Sequence, residues 1–492
     1  MFSIVDFYGK QSNYSCGYCK QSSSCQSHGM WAHTMTVDDY QDLIDRGWRR
    51  SGCYCYKPEM SSTCCPAYTI KCDAMNFKLS KSHKKIIKRM NKFLKDGQRD
   101  KNNSGVSSHG GTLGDIGGDL EMGDLAKNPR NNLNISSSDV VPCNETVSVP
   151  RPVPVTEKLT DTKKVSKSST LNLSSNSPEV DTSPKPKKAK LLRIARKREK
   201  LVRKGFSVDE IERNMREVKG KNVEKSLEDF LDEAPKEDEE AAHRLKLVTV
   251  CTASDEFKRS LEVSFVLYKK YQTEVHNDPP LMLEDYTDFL VKSPLKFTIG
   301  QNAPSCGLGS FHQQYWLDDR LIAVGVIDIL SHCVSSVYFF YDPEFRFLSL
   351  GTYGSLREIA FTRKLQQQLD SITSYYMGFY IHSCPKMRYK SNLSPSHLLC
   401  PEVFSWHALD DSIIRKLDAN KYSRLNEDSE ATDQGAVQQN DLVNVLVLNG
   451  STYMRYSSYM EMENLTTPEE IVLTYSKLVG KACALRMLLY RG

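Results

Sequence analysis

The feature that most constrains how this chain can fold is a break in its composition. From Asp96 to about Pro184 the residues are mostly Ser, Asn, Gly, Asp, Lys and Pro, with almost no aromatics. Runs such as NNSGVSSHGGTLGDIGGD and SSTLNLSSNSP cannot bury enough apolar area to offset the entropy lost on ordering. The stretch reads as a disordered linker, so any core must be built on either side of it. The 492 residues divide accordingly: a Cys-rich N-terminal domain over 1–95, the linker over 96–184, a charged helical segment over 185–243 and a compact domain over 244–492.

The N-terminal piece is aromatic-rich and ends in SKSHKKIIKRMNKFLK, a basic helix that Ser80 or Ser82 caps. Ile86, Ile87, Met90 and Phe93 give that helix one apolar face. Eight of the fifteen cysteines fall before residue 73. No run approaches the roughly 18 apolar residues of a membrane span, and the opening MFSIVDFYGK lacks the apolar core of a signal peptide. The chain is therefore expected to stay inside the cell and off the membrane. In a reducing compartment such crowded cysteines point to a metal or an iron–sulfur cluster rather than to disulfides.

Cys16-Gly-Tyr-Cys19 has the spacing of a metal knuckle, because two intervening residues let both thiolates converge. Cys64 and Cys65 are adjacent, so a tight turn must redirect them, and Pro66 helps to make one. Zinc and an iron–sulfur cluster both stay open for these four. Cys25, His28, Cys53, Cys55 and Cys72 are spare candidate ligands, with ordinary surface residues, the cysteines reduced, as the plainer reading.

Beyond the linker, PKPKKAKLLRIARKREKLVRKG carries eleven Lys or Arg between Lys185 and Lys204 against one Glu, and EKSLEDFLDEAPKEDEE follows it. The net charge of only +5 hides these opposed blocks. Solvated surface is the plain reading; RNA contact or nuclear import is the sharper one for the basic run. From Arg244 a compact pattern begins. RLKLVTV reads as a strand and 254–276 as a helix stopped by NDPP. FHQQYWL, a turn at Asp318-Asp319, RLIAVGVIDIL and VSSVYFFYD then form an antiparallel meander. TYGSLREIAFTRKLQQQL is a helix and YYMGFYI a further strand. This order is that of a GNAT-type N-acyltransferase, a fold analogy only. The fold class expected is α+β: a Cys-rich metal-binding domain plus a GNAT-like domain with a mostly antiparallel sheet.

Longer blocks carry a resemblance. CGYCK, HGMWAHTMTVDDYQDLIDRGWRRSG, TCCPAYTIKC and SKSHKK in the first part, with YQTEVHNDPP, GSFHQQYWLDDRLIAVGVIDIL, SSVYFFYDP, SLGTYGSLREIAF and YYMGFYIHSCPKMRYK in the second, resemble the eukaryotic arginyl-tRNA–protein transferases. The match spans about 4–95 and 245–405 and the tail LVGKACALRMLLY, but not the linker. The resemblance implies an enzyme that moves arginine from Arg-tRNA to the N-terminal α-amine of proteins beginning with Asp or Glu, marking them for ubiquitin-dependent degradation. It also implies that Cys16, Cys19, Cys64 and Cys65 bind zinc or an iron–sulfur centre. Cys53 and Cys55 lie outside the family pattern.

An aminoacyl ester is already activated, so the reaction needs neither ATP nor an acyl-CoA, and positioning supplies much of the rate. The arginyl guanidinium wants a carboxylate in fork geometry. Asp328, in an apolar strand, is the first candidate and Glu358 the second. An acidic acceptor wants cations: Lys386, Arg388 and Lys390 after a core strand, or Arg46, Arg49, Arg50, Lys57 and Lys71 near the cysteines. Their pocket is expected between the two halves, with the metal centre holding the N-terminal wall. Gly351 and Gly354, at a helix start, are candidates for holding a tRNA phosphate. His312, Gln313, Gln314 and Tyr376 are polar groups for the ester.

Two rival readings remain: a non-catalytic cysteine-knuckle RNA-binding protein, and an acetyl-CoA-dependent N-acetyltransferase on the same fold. The second half weighs against the first. The loop LGTYGSL, short of a full pyrophosphate cradle, weighs against the other. A monomer in cytoplasm and nucleus is expected.

Overall fold

The computed structural model describes residues 2–98, 138, 140–143, 196, 198–207, 210, 212, 225–277 and 282–492. Most of the expected linker and the start of the basic run lie outside them. The chain forms two compact units, one of residues 1–150 with 226–492 and one of 151–225. In the second unit, residues 198–203 are helical, and Glu199 pairs with Arg203 at 3.0 Å, one turn apart.

The first unit is built on two eight-stranded sheets. Strands β1 (Ile4–Tyr14), β2 (Cys25–Thr34), β3 (Arg49–Ser51) and β4 (Tyr54–Pro58) start one of them. β5 (Tyr68–Asp73) leaves for the other sheet. There it meets β6 (Leu245–Cys251), β7 (Gly309–Leu317), β8 (Arg320–Ile329), β9 (Cys333–Tyr341), β10 (Ser374–Tyr380), β11 (Ser396–Leu399) and β12 (Trp406–Ala408). The order is β12-β11-β5-β10-β9-β8-β7-β6. β13 (Leu446–Asn449), β14 (Thr452–Arg455) and β15 (Leu488–Tyr490) return to the first sheet, where β15 runs parallel to β1 and the two-residue strand Val141–Pro142, at the edge beside β14, is the eighth.

The boundaries read from the sequence are corrected in two places. Residues 1–95 are not a separate domain, because β5 pairs with β10 (Ser374↔Asp73, Tyr375↔Cys72) and β1 with β15 (Ile4↔Leu488). The segment 226–243 belongs to the same unit. Its helix α3 (Leu227–Leu231) buries Leu227, Phe230 and Leu231, and the Phe230 carbonyl accepts from Asn91 at 2.8 Å. Strand partners distant in sequence leave no local signal, and here they override the composition break.

The local elements follow their residues. The Asp318-Asp319 turn holds both residues at positive φ (48° and 66°), the geometry whose twist matches a two-residue hairpin. In order of appearance the longer helices are α1 (Val37–Ile44), α2 (Lys81–Asp96), α4 (Asp255–Tyr271) and α5 (Leu350–Gln366). Ser80 caps α2 in a reciprocal box with His83, and Gly97 ends it in the left-handed region. Ile86, Ile87, Met90 and Phe93 are buried as the periodicity required. α4 and α5 cover opposite faces of the second sheet: Phe340 meets Tyr268 of α4, while its neighbour Phe339 meets Gly354 of α5. A Cβ on Gly354 would sit 2.3 Å from the Phe339 ring, so glycine is needed for α5 to lie this close. The meander β7–β8–β9, helix α5 and parallel strand β10 give the GNAT-type order. Among the described residues no helix is long and apolar enough to cross a membrane.

Candidate functional site

The parallel pairing of β9 and β10 is confined to Cys333–Ser335 against Ser374–Tyr376. The two strands then part, and β10 bulges against β5 between Tyr376 and Phe379. Cations take the carbonyls of that bulge. Lys390 donates to Met377 O at 2.6 Å and Phe379 O at 2.7 Å, and Arg49 donates to Gly378 O at 3.1 Å.

Around this opening several expected groups are buried and engaged. Asp328 has the fork geometry anticipated for a guanidinium, but the guanidinium is the chain's own Arg50, at 2.8 and 2.6 Å. Ser310 Oγ donates to the same carboxylate at 2.7 Å, and Arg50 also reaches Gly52 O. Burial works against the charged Arg50, and the charge and hydrogen bonds of Asp328 outweigh it, so its pKa is raised. Gln314 donates to Ser260 and accepts from Trp316. Tyr376 donates to Asp45 at 2.6 Å. Gly351 lies buried in the first turn of α5, within the helix rather than in a loop before it.

Glu358 sits on α5 with its carboxylate accepting from Tyr375 at 2.6 Å. Burial pushes it up to about 7, against the pull of that hydrogen bond. The unfolded chain would ionise it near 4.5. Its contribution to stability is therefore intact below about pH 4.5 and falls by about 3 kcal/mol as pH rises to about 7. Glu358→Gln removes this dependence. The urea midpoint of the variant is expected to change less than that of the wild type between about pH 5 and about pH 8.

The four cysteines singled out by spacing converge. The Sγ atoms of Cys16, Cys19, Cys64 and Cys65 all lie within 4.8 Å of one another, and Cys19 and Cys64 are 3.6 Å apart. The knuckle closes because Lys20, at φ 61°, returns its N–H to Cys16 O, while Tyr18 N–H points at Cys16 Sγ at 3.4 Å. Cys64 is held by its N–H to Ser24 O at 3.1 Å. Burial raises the Cys65 and Cys64 thiols; at Cys19 burial is the largest single effect and pushes upward, but the combined hydrogen bonds of the Gln21 backbone, Cys64, Cys16 and Cys65 outweigh it and hold the thiol at about 7. Four soft donors at this spacing fit a metal, and they lean on Phe379, Ile381 and Met387, just past the opening. Cys53, Cys55 and Cys72 are not part of the group.

The loop that carries Cys64 and Cys65 follows β4, and its start lines a cavity of about 410 Å³. Arg46, Lys57, Glu59, Phe404, Asp433 and Lys477 contribute to its wall. Arg46 is fixed by a fork to Asp433, at 2.5 and 3.1 Å, and lies 4.1 Å over the Phe404 ring. Gly480, at φ 80°, makes room for it; a Cβ there would sit 2.6 Å from Arg46 Cζ. Lys57 stands 4.5 Å over the same ring, with its Nζ 3.5 Å from Leu478 O. Burial first, and Arg46 next, lower its pKa to about 7. Among the described residues no carboxylate forms an ion pair with it.

Of the predicted cations, Arg46 and Lys57 thus share one cavity. Lys71 stands apart, 4.1 Å over Trp406, with its pKa lowered by burial. Lys386 and Arg388 are exposed, Arg388 donating to His382 O. Phe404 and Asp433 were missed. They come from irregular segments hundreds of residues downstream of Arg46, and only the positive φ of Phe404 (55°) marks it as special.

Residues 14–85 match the family model for the N terminus of arginine-tRNA-protein transferases, and residues 263–400 match the model for their C terminus. Arginyl-tRNA–protein transferase 1 of Drosophila melanogaster is 46% identical over 99% of this chain and 99% of its own. Arginyl-tRNA–protein transferase 2 of Arabidopsis thaliana is 36% identical over 89% of this chain and 80% of its own. The aspartate/glutamate leucyltransferase of Pseudomonas entomophila is 35% identical over 31% of this chain and 57% of its own. With a cysteine centre beside a split acyltransferase sheet, and a relative matched from end to end, the chain belongs to the arginine-tRNA–protein transferase family.

Proposed function

We propose that this protein transfers arginine from Arg-tRNA to the N-terminal amine of proteins beginning with Asp or Glu, and that it reads the acidic side chain in the cavity of Lys57 and Arg46. The observation that carries this reading is Lys57: a desolvated ammonium over an aromatic ring, without an ion pair of its own among the described residues. Asp433 and Glu59 act on Lys57 by charge without forming an ion pair with it, and an incoming carboxylate would supply that direct pair. The leucyltransferase relative, named for aspartate and glutamate, supports an acidic acceptor.

The neutral α-amine attacks the ester carbonyl of the arginyl group. The C–O bond to the terminal ribose breaks, and the amine proton leaves with the ribose oxygen. The ester is already activated, so neither ATP nor acyl-CoA is expected to take part, and the chain's work is to hold both partners still. The arginylated product is expected to enter ubiquitin-dependent degradation. Action as a monomer in cytoplasm and nucleus is proposed with it.

The metal is read as structural, anchoring the loop that continues the cavity wall. Zinc with bonds of about 2.3 Å places its four sulfurs about 3.8 Å apart, close to the 3.6 Å between Cys19 and Cys64. Thiolates on separate irons of a cluster would stand wider. Elemental analysis is expected to find one zinc per chain, lost in Cys16→Ser. Iron with acid-labile sulfide would assign a cluster instead.

The test of function is transfer of labelled arginine from Arg-tRNA to a peptide beginning with Asp, with an Ala-starting peptide beside it. Transfer to Asp alone supports the reading. Transfer to both removes the acidic selectivity, and transfer to neither removes the activity.

A further inference from the structure

Helix α2 carries a charge pattern that its own stability does not explain. Seven of its residues are cationic (Lys81, Lys84, Lys85, Lys88, Arg89, Lys92 and Lys95), and its one acid is the terminal Asp96. No acidic residue lies in its first turn, where the helix dipole favours negative charge and Lys81 and Lys84 are placed instead. Like charges three and four residues apart weaken a helix by a few tenths of a kcal/mol each. α4 of the same protein does the opposite, with Asp255 and Glu256 first and Lys269 and Lys270 last. Within the chain, Lys84 and Lys88 reach over the Phe230 ring of α3, at 5.7 and 5.5 Å.

The exposed lysines form a line. Lys81, Lys85, Lys88, Lys92 and Lys95 are all exposed and recur at four- and three-residue steps. At 100° per residue they fall within about 80° of the helix circumference, over a length of about 21 Å. The buried Ile87, Met90, Phe93 and Leu94 occupy the opposite side. Arg89, between the two faces, ties the helix to the reaction site: its Nη1 donates to Phe347 O at 2.6 Å and Ser349 Oγ at 3.3 Å, immediately before α5. α5 in turn lies over Phe339, on the stretch of β9 that has parted from β10.

We propose that this lysine row is the docking rail for the phosphate backbone of the aminoacyl-tRNA, aiming its 3′ end past the start of α5 toward the strand opening. A double-stranded nucleic acid presents a phosphate about every 1.7 Å of its axis, so a rail of about 21 Å meets phosphates along its whole length. Duplex RNA is recognised largely by shape and backbone, which suits a row of flexible point charges without base-reading groups. The proposal rests on transfer from Arg-tRNA as read above.

The test uses the full chain, with Lys81, Lys85 and Lys88 changed together to Gln, or together to Arg. Binding of uncharged tRNA is measured by fluorescence anisotropy across a salt series, and transfer to the Asp peptide is measured in parallel. The Gln variant is expected to bind tRNA about tenfold or more weakly, with the salt slope reduced by about two to three, since each lost phosphate contact removes about one. KM for Arg-tRNA should rise with kcat at saturation retained, and the Arg variant should restore the slope. Unchanged tRNA affinity and slope in the Gln variant would overturn the proposal. So would unchanged affinity with a lowered Tm, which would give the row to the chain's own acidic run at 232–240. If the wild type binds tRNA through the row but transfers no arginine, the docking rail stands and the assigned activity falls.

Discussion

Asp328→Ala is expected to destabilise the protein by about 3–5 kcal/mol, because it leaves Arg50 buried without its counter-charge. The pair is almost wholly withdrawn from solvent, with side-chain exposures of 3% for Arg50 and 0% for Asp328. Attraction between the charges outweighs desolvation only while both are present. Replacing both, as Arg50→Met with Asp328→Leu, should recover most of the loss. Urea unfolding of Arg50→Met, Asp328→Leu and the double forms a cycle that isolates the interaction. A loss under about 1 kcal/mol in Asp328→Ala would mean that water reaches Arg50. Transfer activity of the double variant then decides whether this carboxylate also touches arginine. Full activity would confine Asp328 to the fold.

The second large effect concerns Lys57. Lys57→Met is expected to lower kcat/KM for Asp-starting peptides about a hundredfold or more, since truncating one partner of a buried charge pair costs about 2–5 kcal/mol. KM for Arg-tRNA should stay unchanged, which separates acceptor binding from donor binding. The pH profile gives a second readout. With its pKa lowered to about 7, Lys57 is charged below that pH and loses its proton above it. Affinity for the acidic acceptor is thus present at low pH and falls as pH rises through about 7. The acceptor amine, with a pKa of about 7.7–8.0, is reactive only as pH rises. The product is a bell-shaped kcat/KM profile with its maximum between these values. Lys57→Met should keep the rising limb and lose the falling one assigned to Lys57. A falling limb that persists in the variant would remove Lys57 from the acceptor site.

Much of this molecule is legible from short-range pattern. The Asp318-Asp319 hairpin, the capped face of α2 and the Cys16–Cys19 knuckle each depend on residues within a few positions of one another, and each reads directly. What escapes is long-range pairing. Nothing in the alternation of AYTIKC states that β5 enters the second sheet beside β10 rather than staying with β4. Asp328 looks like a lone carboxylate in an apolar strand until Arg50, 278 residues away, is brought to it. Lys57 and Arg46 could be nominated from composition near the cysteines, but Phe404 and Asp433, which shape their cavity, sit in loops without periodicity. Spacing finds ligands that converge locally, and it cannot find walls assembled from both ends of the chain.

The parallel strand β15 beside β1 sets the order in which the protein can be made. Ile4 and Val5 emerge from the ribosome long before their partners Leu488 and Leu489. Until then β1 has one bare edge, and the β5 edge waits for residues beyond 373. Native topology of this kind folds slowly and leaves sticky intermediates during synthesis. A nonsense codon just before Leu488 should therefore yield a chain that is made in full measure yet cleared by proteolysis, and chaperone occupancy on the nascent chain should persist until β15 has been synthesised.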